Sequence, residues 1–126
     1  MPATTRLAQL MATQEGFGKL NPDGTWTVPT RDNNPLDLRH SPHSSHLGED
    51  PNGIGIIDTL EDGWADAERQ LQLYAERGMT LESMIAIFAP PNENNTGAYL
   101  EFVCNGLGMS PDVPVALALT IPAEDA

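Results

Sequence analysis

Apolar residues recur at steps of three and four along most of this chain, the spacing of helices that bury one face. Leu7, Leu10 and Met11 make the first such face, predicting a helix from Thr4 or Thr5 to Gln14 or Glu15 that Gly16 stops in a left-handed turn. Trp64, Ala67, Leu71 and Tyr74 predict the longest helix. Thr59 is placed to cap it, with Asp62 at the third position in a variant of the capping box, and Gly78 closes it. A third helix follows the cap Thr80, with Leu81, Met84, Ile85 and Phe88 on its apolar face and Pro90-Pro91 as its stop. A fourth starts near Thr96, carries Tyr99, Leu100, Phe102, Val103 and Leu107, and ends at Gly108. Ser110-Pro111-Asp112 resembles a further cap with proline at the first helical position, and the acidic tail beyond it is expected to fray.

Between the first two helices the helical period disappears. Residues 17–52 are polar and rich in turn formers, with Asn21-Pro22-Asp23-Gly24 and Asn33-Asn34-Pro35 as turns. Thr25 to Val28 alternates like a short strand, and Gly53 to Asp58 has the composition of a buried strand whose glycines allow close backbone approach. So long an irregular stretch in a small domain tends to serve function. The expected fold class is α+β and mainly helical: one domain over residues 1–126, with a small β or loop-rich lobe over about 18–58.

The length of 126 residues suits a single core. No apolar run spans a bilayer, and none of signal-peptide type opens the chain, because Thr13, Gln14 and Glu15 interrupt the first helix. Cytoplasmic synthesis is therefore expected, with any release by lysis, a holin or packaging in a particle. The lone Cys104 excludes an intrachain disulfide and falls in an apolar helical stretch, as a buried inert thiol would. The net charge of −12 argues against nucleic acid and anionic membranes as partners.

The candidate chemistry centres on Glu15. A carboxylate in the last turn of a helix faces the negative end of the dipole, and Phe17 places a ring nearby. Both disfavour ionisation, as a general acid for glycosidic cleavage requires. A solvated residue at a helix end is the competing reading. His40, His43 and His46 are evenly spaced, but Pro42 breaks any helix there and serines surround them. A solvated loop edging a cleft is expected rather than a metal site, and neither metal nor cofactor is expected elsewhere.

Four segments together resemble one family. They are Gln14-Glu15-Gly16-Phe17, Arg31-Asp32-Asn33-Asn34-Pro35-Leu36-Asp37-Leu38-Arg39, Asp58-Thr59-Leu60-Glu61-Asp62-Gly63-Trp64, and Phe88-Ala89-Pro90-Pro91-Asn92-Glu93-Asn94-Asn95-Thr96-Gly97-Ala98-Tyr99. In this order they resemble the lysozyme-like peptidoglycan-cleaving domains of phages and prophages, which occur as virion-associated murein hydrolases and soluble lytic transglycosylases. The resemblance covers about residues 6–115. It departs from the family at Leu36, where a glycine is usual, at Asp32 and Asp37, where asparagines are usual, and at Phe88, where a tryptophan is usual.

The resemblance implies a lysozyme-like two-lobed fold with a cleft between the lobes, Glu15 as general acid, and peptidoglycan glycan strands as substrate. Phage particle proteins are implied as further partners. Asn34, Asn94 and Tyr99 become candidates for hydrogen bonds to N-acetyl groups or to Glu15. Glu93 is a candidate assistant and Trp26 a candidate platform for a sugar face. The second catalytic group is open among Asp32, Asp37 and Asp58. Lacking an obvious partner, Glu15 points towards single-acid transglycosylase chemistry. The alternative is a catalytically inactive lysozyme-like module that binds glycan or serves as a phage structural part.

Overall fold

The computed structural model describes residues 3–44, 50 and 53–124. The chain is mainly helical. Among the described residues six helices follow in order: α1 (Arg6–Gln14), α2 (Val28–Arg31), α3 (Leu60–Glu76), α4 (Leu81–Phe88), α5 (Thr96–Leu107) and α6 (Val115–Ala118). Helix α5 packs on α1 and α4, and α6 lies against α3 and α4. Their apolar stripes converge on one core containing Leu7, Met11, Leu71, Leu81, Met84, Ile85, Val103 and Val115.

Local chemistry sets the helix boundaries. The Thr5 hydroxyl accepts the Ala8 N–H at the start of α1, satisfying a donor that helix geometry leaves open. Thr59 does the same for the Asp62 N–H of α3, and Thr80 with Ser83 completes a reciprocal capping box on α4. Glu15 is the C-cap of α1, and Gly16 at φ +87 turns the chain away, as the sequence predicts.

The loop-rich region differs from expectation. Among the described residues it holds isolated bridges and no strand ladder. Trp26 pairs with Leu20 in one antiparallel bridge, but Val28 already starts α2, where Pro29 fits the first turn because its missing N–H is not needed there. The Gly53–Asp58 strand is likewise replaced by irregular chain whose backbone groups pair one at a time. Gly55 N–H donates to Leu38 O at 2.9 Å, and Ile57 N–H to Asp32 O at 2.9 Å. Close approach is real at Gly55, where a Cβ would lie 2.5 Å from that of Ser44. The β component of the lobe is thus reduced to bridges.

The chain end also differs. Ser110 to Asp112 forms a turn, and the last helix starts only at Val115. The tail is pinned rather than frayed up to Glu124. Thr5 bridges Pro122, Arg6 N–H donates to Ile121 O at 3.1 Å, and Gln9 Oε1 accepts the Glu124 N–H at 2.8 Å.

Loop 31–39 seats on α3 at Gly63. A Cβ there would stand 1.9 Å from Asn33 O, so only glycine lets helix and loop meet. Asn33, at φ +53, donates its side-chain amide to Ile57 O and Asp58 O at 3.0 and 3.2 Å. Leu36 is 1% exposed and belongs to the core. The left-handed residues of this loop are Asn33 and Asp37, residue types that tolerate that conformation.

Candidate active site

Helix α1 delivers Glu15 to the wall of a cavity of about 320 Å³. Loop 31–39 contributes Leu36, Asp37, Leu38 and Arg39, and the irregular segment before α3 contributes Ile54. The end of α4 and the turn after it contribute Phe88, Glu93 and Asn94. The lining is mostly polar: Glu15, Asp37, Arg39, Glu93 and Asn94 outnumber the apolar Leu36, Leu38, Ile54 and Phe88.

Burial pushes the Glu15 carboxyl from 4.5 up to about 7, with the nearby Asp37 charge adding to the rise. Tyr99 opposes it: its hydroxyl donates to Glu15 Oε2 at 2.8 Å, which favours the carboxylate. Tyr99 is itself 4% exposed. Burial and the Glu15 charge lift the phenol far above its ordinary range, so it stays protonated and remains a donor. The ring that faces Glu15 is therefore Tyr99. Phe17, proposed for that role from sequence, packs edge-on against Trp64 at 5.3 Å. Phe88 backs Tyr99, also edge-on, at 6.4 Å.

Asp37 is the other acidic side chain that the loop brings to this cavity. Its pKa is raised by burial and by Asp50, while Arg39 draws it back down. Its Oδ1 is buried and accepts no hydrogen bond from the described residues. Asp32, 7% exposed, lies behind the wall; burial and the adjoining Asp50 carboxyl push it up to about 7. Asp58 is exposed and does not line the cavity.

Of the residues singled out from sequence, Glu15, Asp37, Glu93 and Asn94 meet at the cavity. Tyr99 reaches it through Glu15, one of the two roles considered for it. The substrate contact expected of Asn34 is corrected. The residue is 0% exposed, its amide donates to Leu38 O and Gly55 O at 2.8 and 2.9 Å, and its Oδ1 accepts the Leu38 N–H at 2.9 Å. It fastens the loop that carries Asp37. Trp26 is 52% exposed and does not line the cavity; it follows the turn at residues 21–24. Thr27 ties this segment to the end of α1 by donating to Gly16 O at 2.7 Å. Arg39 and Ile54 were not anticipated, since neither carries a pattern beyond its charge or apolar character.

His43 is exposed, as a solvated loop predicts, but it is anchored to α3. His43 Nδ1 lies 2.6 Å from Oδ1 of the buried Asp66 on α3, and the His43 N–H donates to Asp66 Oδ2 at 3.0 Å. The Asp66 carboxylate raises the His43 pKa. His46 lies outside the described residues, and among those described no three metal-ligating side chains gather. The signal missed in the sequence is Asp66, an acid inside the apolar face of the longest helix.

Comparison with family models, curated proteins and solved structures returns no match.

Proposed function

We propose that this protein cleaves β-1,4-glycosidic bonds in the glycan strands of peptidoglycan, with Glu15 as the general acid. The observation that carries the reading is a carboxyl group with a pKa of about 7 in a cavity wall, aimed by a buried tyrosine. A glycosidic oxygen needs a proton as its bond to C1 breaks. A carboxyl that remains protonated close to neutral pH can supply it. The cavity between the helices and loop 31–39 is the kind of cleft that the resemblance to lysozyme-like phage domains implies, and the sequence segments carrying that resemblance supply three of its walls. Asn94 and Glu93 stand where they can hydrogen-bond a sugar substituent, and Phe88 offers apolar surface beside them.

A second reading, glycan binding without cleavage, draws on the exposed Trp26, because an indole face can stack on a sugar ring from outside the cavity. The experiment that separates them is zymography on purified peptidoglycan over a range of pH and salt, paired with co-sedimentation. Cleavage predicts a cleared band. Co-sedimentation without clearing supports the binding module, and neither clearing nor sedimentation removes peptidoglycan as the target.

A further inference from the structure

We propose that His43 and the buried Asp66 form a latch that positions the loop wall of the cavity from outside it, holding Leu38, Arg39 and Ile54 where a substrate meets them. The latch itself stands on the fold, and only its effect on cleavage rests on the peptidoglycan reading above. Asp66 is 2% exposed and lies among the buried residues of α3. A carboxylate in such a place is costly unless donors satisfy both of its oxygens. One residue of the loop supplies both. His43 Nδ1 lies 2.6 Å from Oδ1, and the His43 N–H donates to Oδ2 at 3.0 Å. The outer edge of the ring faces Asp62, one turn back along α3, with Nε2 3.7 Å from its Oδ1.

The anchorage is passed to the cavity through a short series of contacts. Ser44, next to His43, is 6% exposed and closes a turn: its N–H and its hydroxyl both donate to Ser41 O, at 3.2 and 2.9 Å. Ser44 packs so closely on Gly55 that a Cβ added there would lie 2.5 Å from its own. The Gly55 N–H donates to Leu38 O at 2.9 Å, and the Asn34 amide joins Leu38 O to Gly55 O. Ile54 precedes Gly55, Arg39 follows Leu38, and all three of Leu38, Arg39 and Ile54 line the cavity. Glu15 stands on the opposite side of this series, at the end of α1.

His43 does not line the cavity, so it is a positioning residue. It acts on the wall that meets substrate and not on the bond that breaks. Its loss therefore weakens binding more than chemistry. The ring donates through Nδ1–H whether neutral or charged, because the carboxylate beside it selects that tautomer. An asparagine side chain presents an amide N–H in the place of Nδ1–H. It can replace the donor without the charge.

The test is amide hydrogen exchange of wild type, His43→Ala and His43→Asn, paired with steady-state cleavage of soluble glycan strands. In His43→Ala the Ser44 and Gly55 amides should exchange faster by about tenfold or more, while the buried amides of α5 keep their wild-type rates. His43→Asn should bring Ser44 and Gly55 back to within about threefold of wild type. In cleavage, His43→Ala should raise KM by about fivefold or more and change kcat by less than about twofold, and His43→Asn should restore KM. Unchanged exchange at Ser44 and Gly55 in His43→Ala overturns the latch. Equal acceleration in α5 also overturns it, because the pair would then serve general stability. A loss confined to kcat, or no restoration by His43→Asn, overturns the positioning role. Absence of cleavage by the wild type overturns the peptidoglycan reading alone, because the exchange rates still decide the latch.

Discussion

Replacing Tyr99 by phenylalanine removes one oxygen and keeps the ring against Phe88. The deleted hydroxyl is the donor 2.8 Å from Glu15 Oε2, and it is the interaction that holds the Glu15 pKa down against burial. A hydrogen bond to a charged group contributes about 1.5–3 kcal/mol. At about 1.4 kcal/mol per pH unit, its loss should raise the Glu15 pKa by roughly one to two units. A general acid works only while protonated, so activity falls as pH rises through its pKa. The wild-type rate should therefore decline around pH 7, and the Tyr99→Phe rate only above about pH 8. The assay is the pH profile of kcat/KM on soluble glycan strands. The plateau below the decline should drop modestly, because a weaker acid transfers its proton less readily. An alkaline limb that stays in place or moves to lower pH would refute the assignment of Tyr99 as the group that tunes Glu15.

Other consequences are open to measurement. Gly63→Ala should destabilise by more than about 3 kcal/mol, because its Cβ meets backbone at 1.9 Å; Gly106→Ala should cost less, since its Cβ meets only the flexible tip of Leu10, and denaturant midpoints compare them. Asn34→Ala leaves buried backbone groups without partners and should cost about 2–4 kcal/mol in chemical denaturation. His43→Ala should destabilise more at acid than at alkaline pH. The folded-state pKa of His43 is raised, so its contribution is full below the ordinary histidine range and fades as pH rises through the folded value, which melting temperatures across pH will report.

The helices were legible because their signals are local. Thr5, Thr59 and Thr80 cap where their spacing to the next apolar residue says they should, and the α3 stripe of Trp64, Ala67, Leu71 and Tyr74 is buried as its period requires. The start of α6 was missed because Ser110-Pro111-Asp112 offers the same chemistry as a cap but serves a turn. Tertiary contacts, not local preference, decided that segment: Leu81 and Glu82 N–H donate to Val113 O and Pro111 O. The strand expected at 53–58 failed for a related reason: the Asn33 and Asn34 side chains satisfy the Gly55, Ile57 and Asp58 carbonyls, so no continuous ladder is needed. At 25–28 the alternation is cut short by α2, which starts at Val28.

At the candidate site, Glu15 was legible from its place at a helix end, and the long polar loop supplies another part of the cavity wall. What the sequence could not give was which ring meets which carboxyl. Tyr99 lies 84 positions from Glu15, and Phe17, the near neighbour, turns instead to Trp64. That Asp37 lines the cavity, Asp32 is buried and Asp58 is exposed is likewise set by packing that spacing along the chain does not encode.

The central claim is that Glu15 supplies the proton that breaks the glycan. Its most direct test is the initial rate of chain-end release from purified peptidoglycan by Glu15→Gln beside wild type, at about pH 6 where the acid form dominates. Glutamine keeps the size of the side chain and can still accept from Tyr99, but has no proton to give. The account predicts a rate lower by about a hundredfold to ten-thousandfold in a variant that folds as well as wild type. A Glu15→Gln protein that cuts within about twofold of wild type would contradict it.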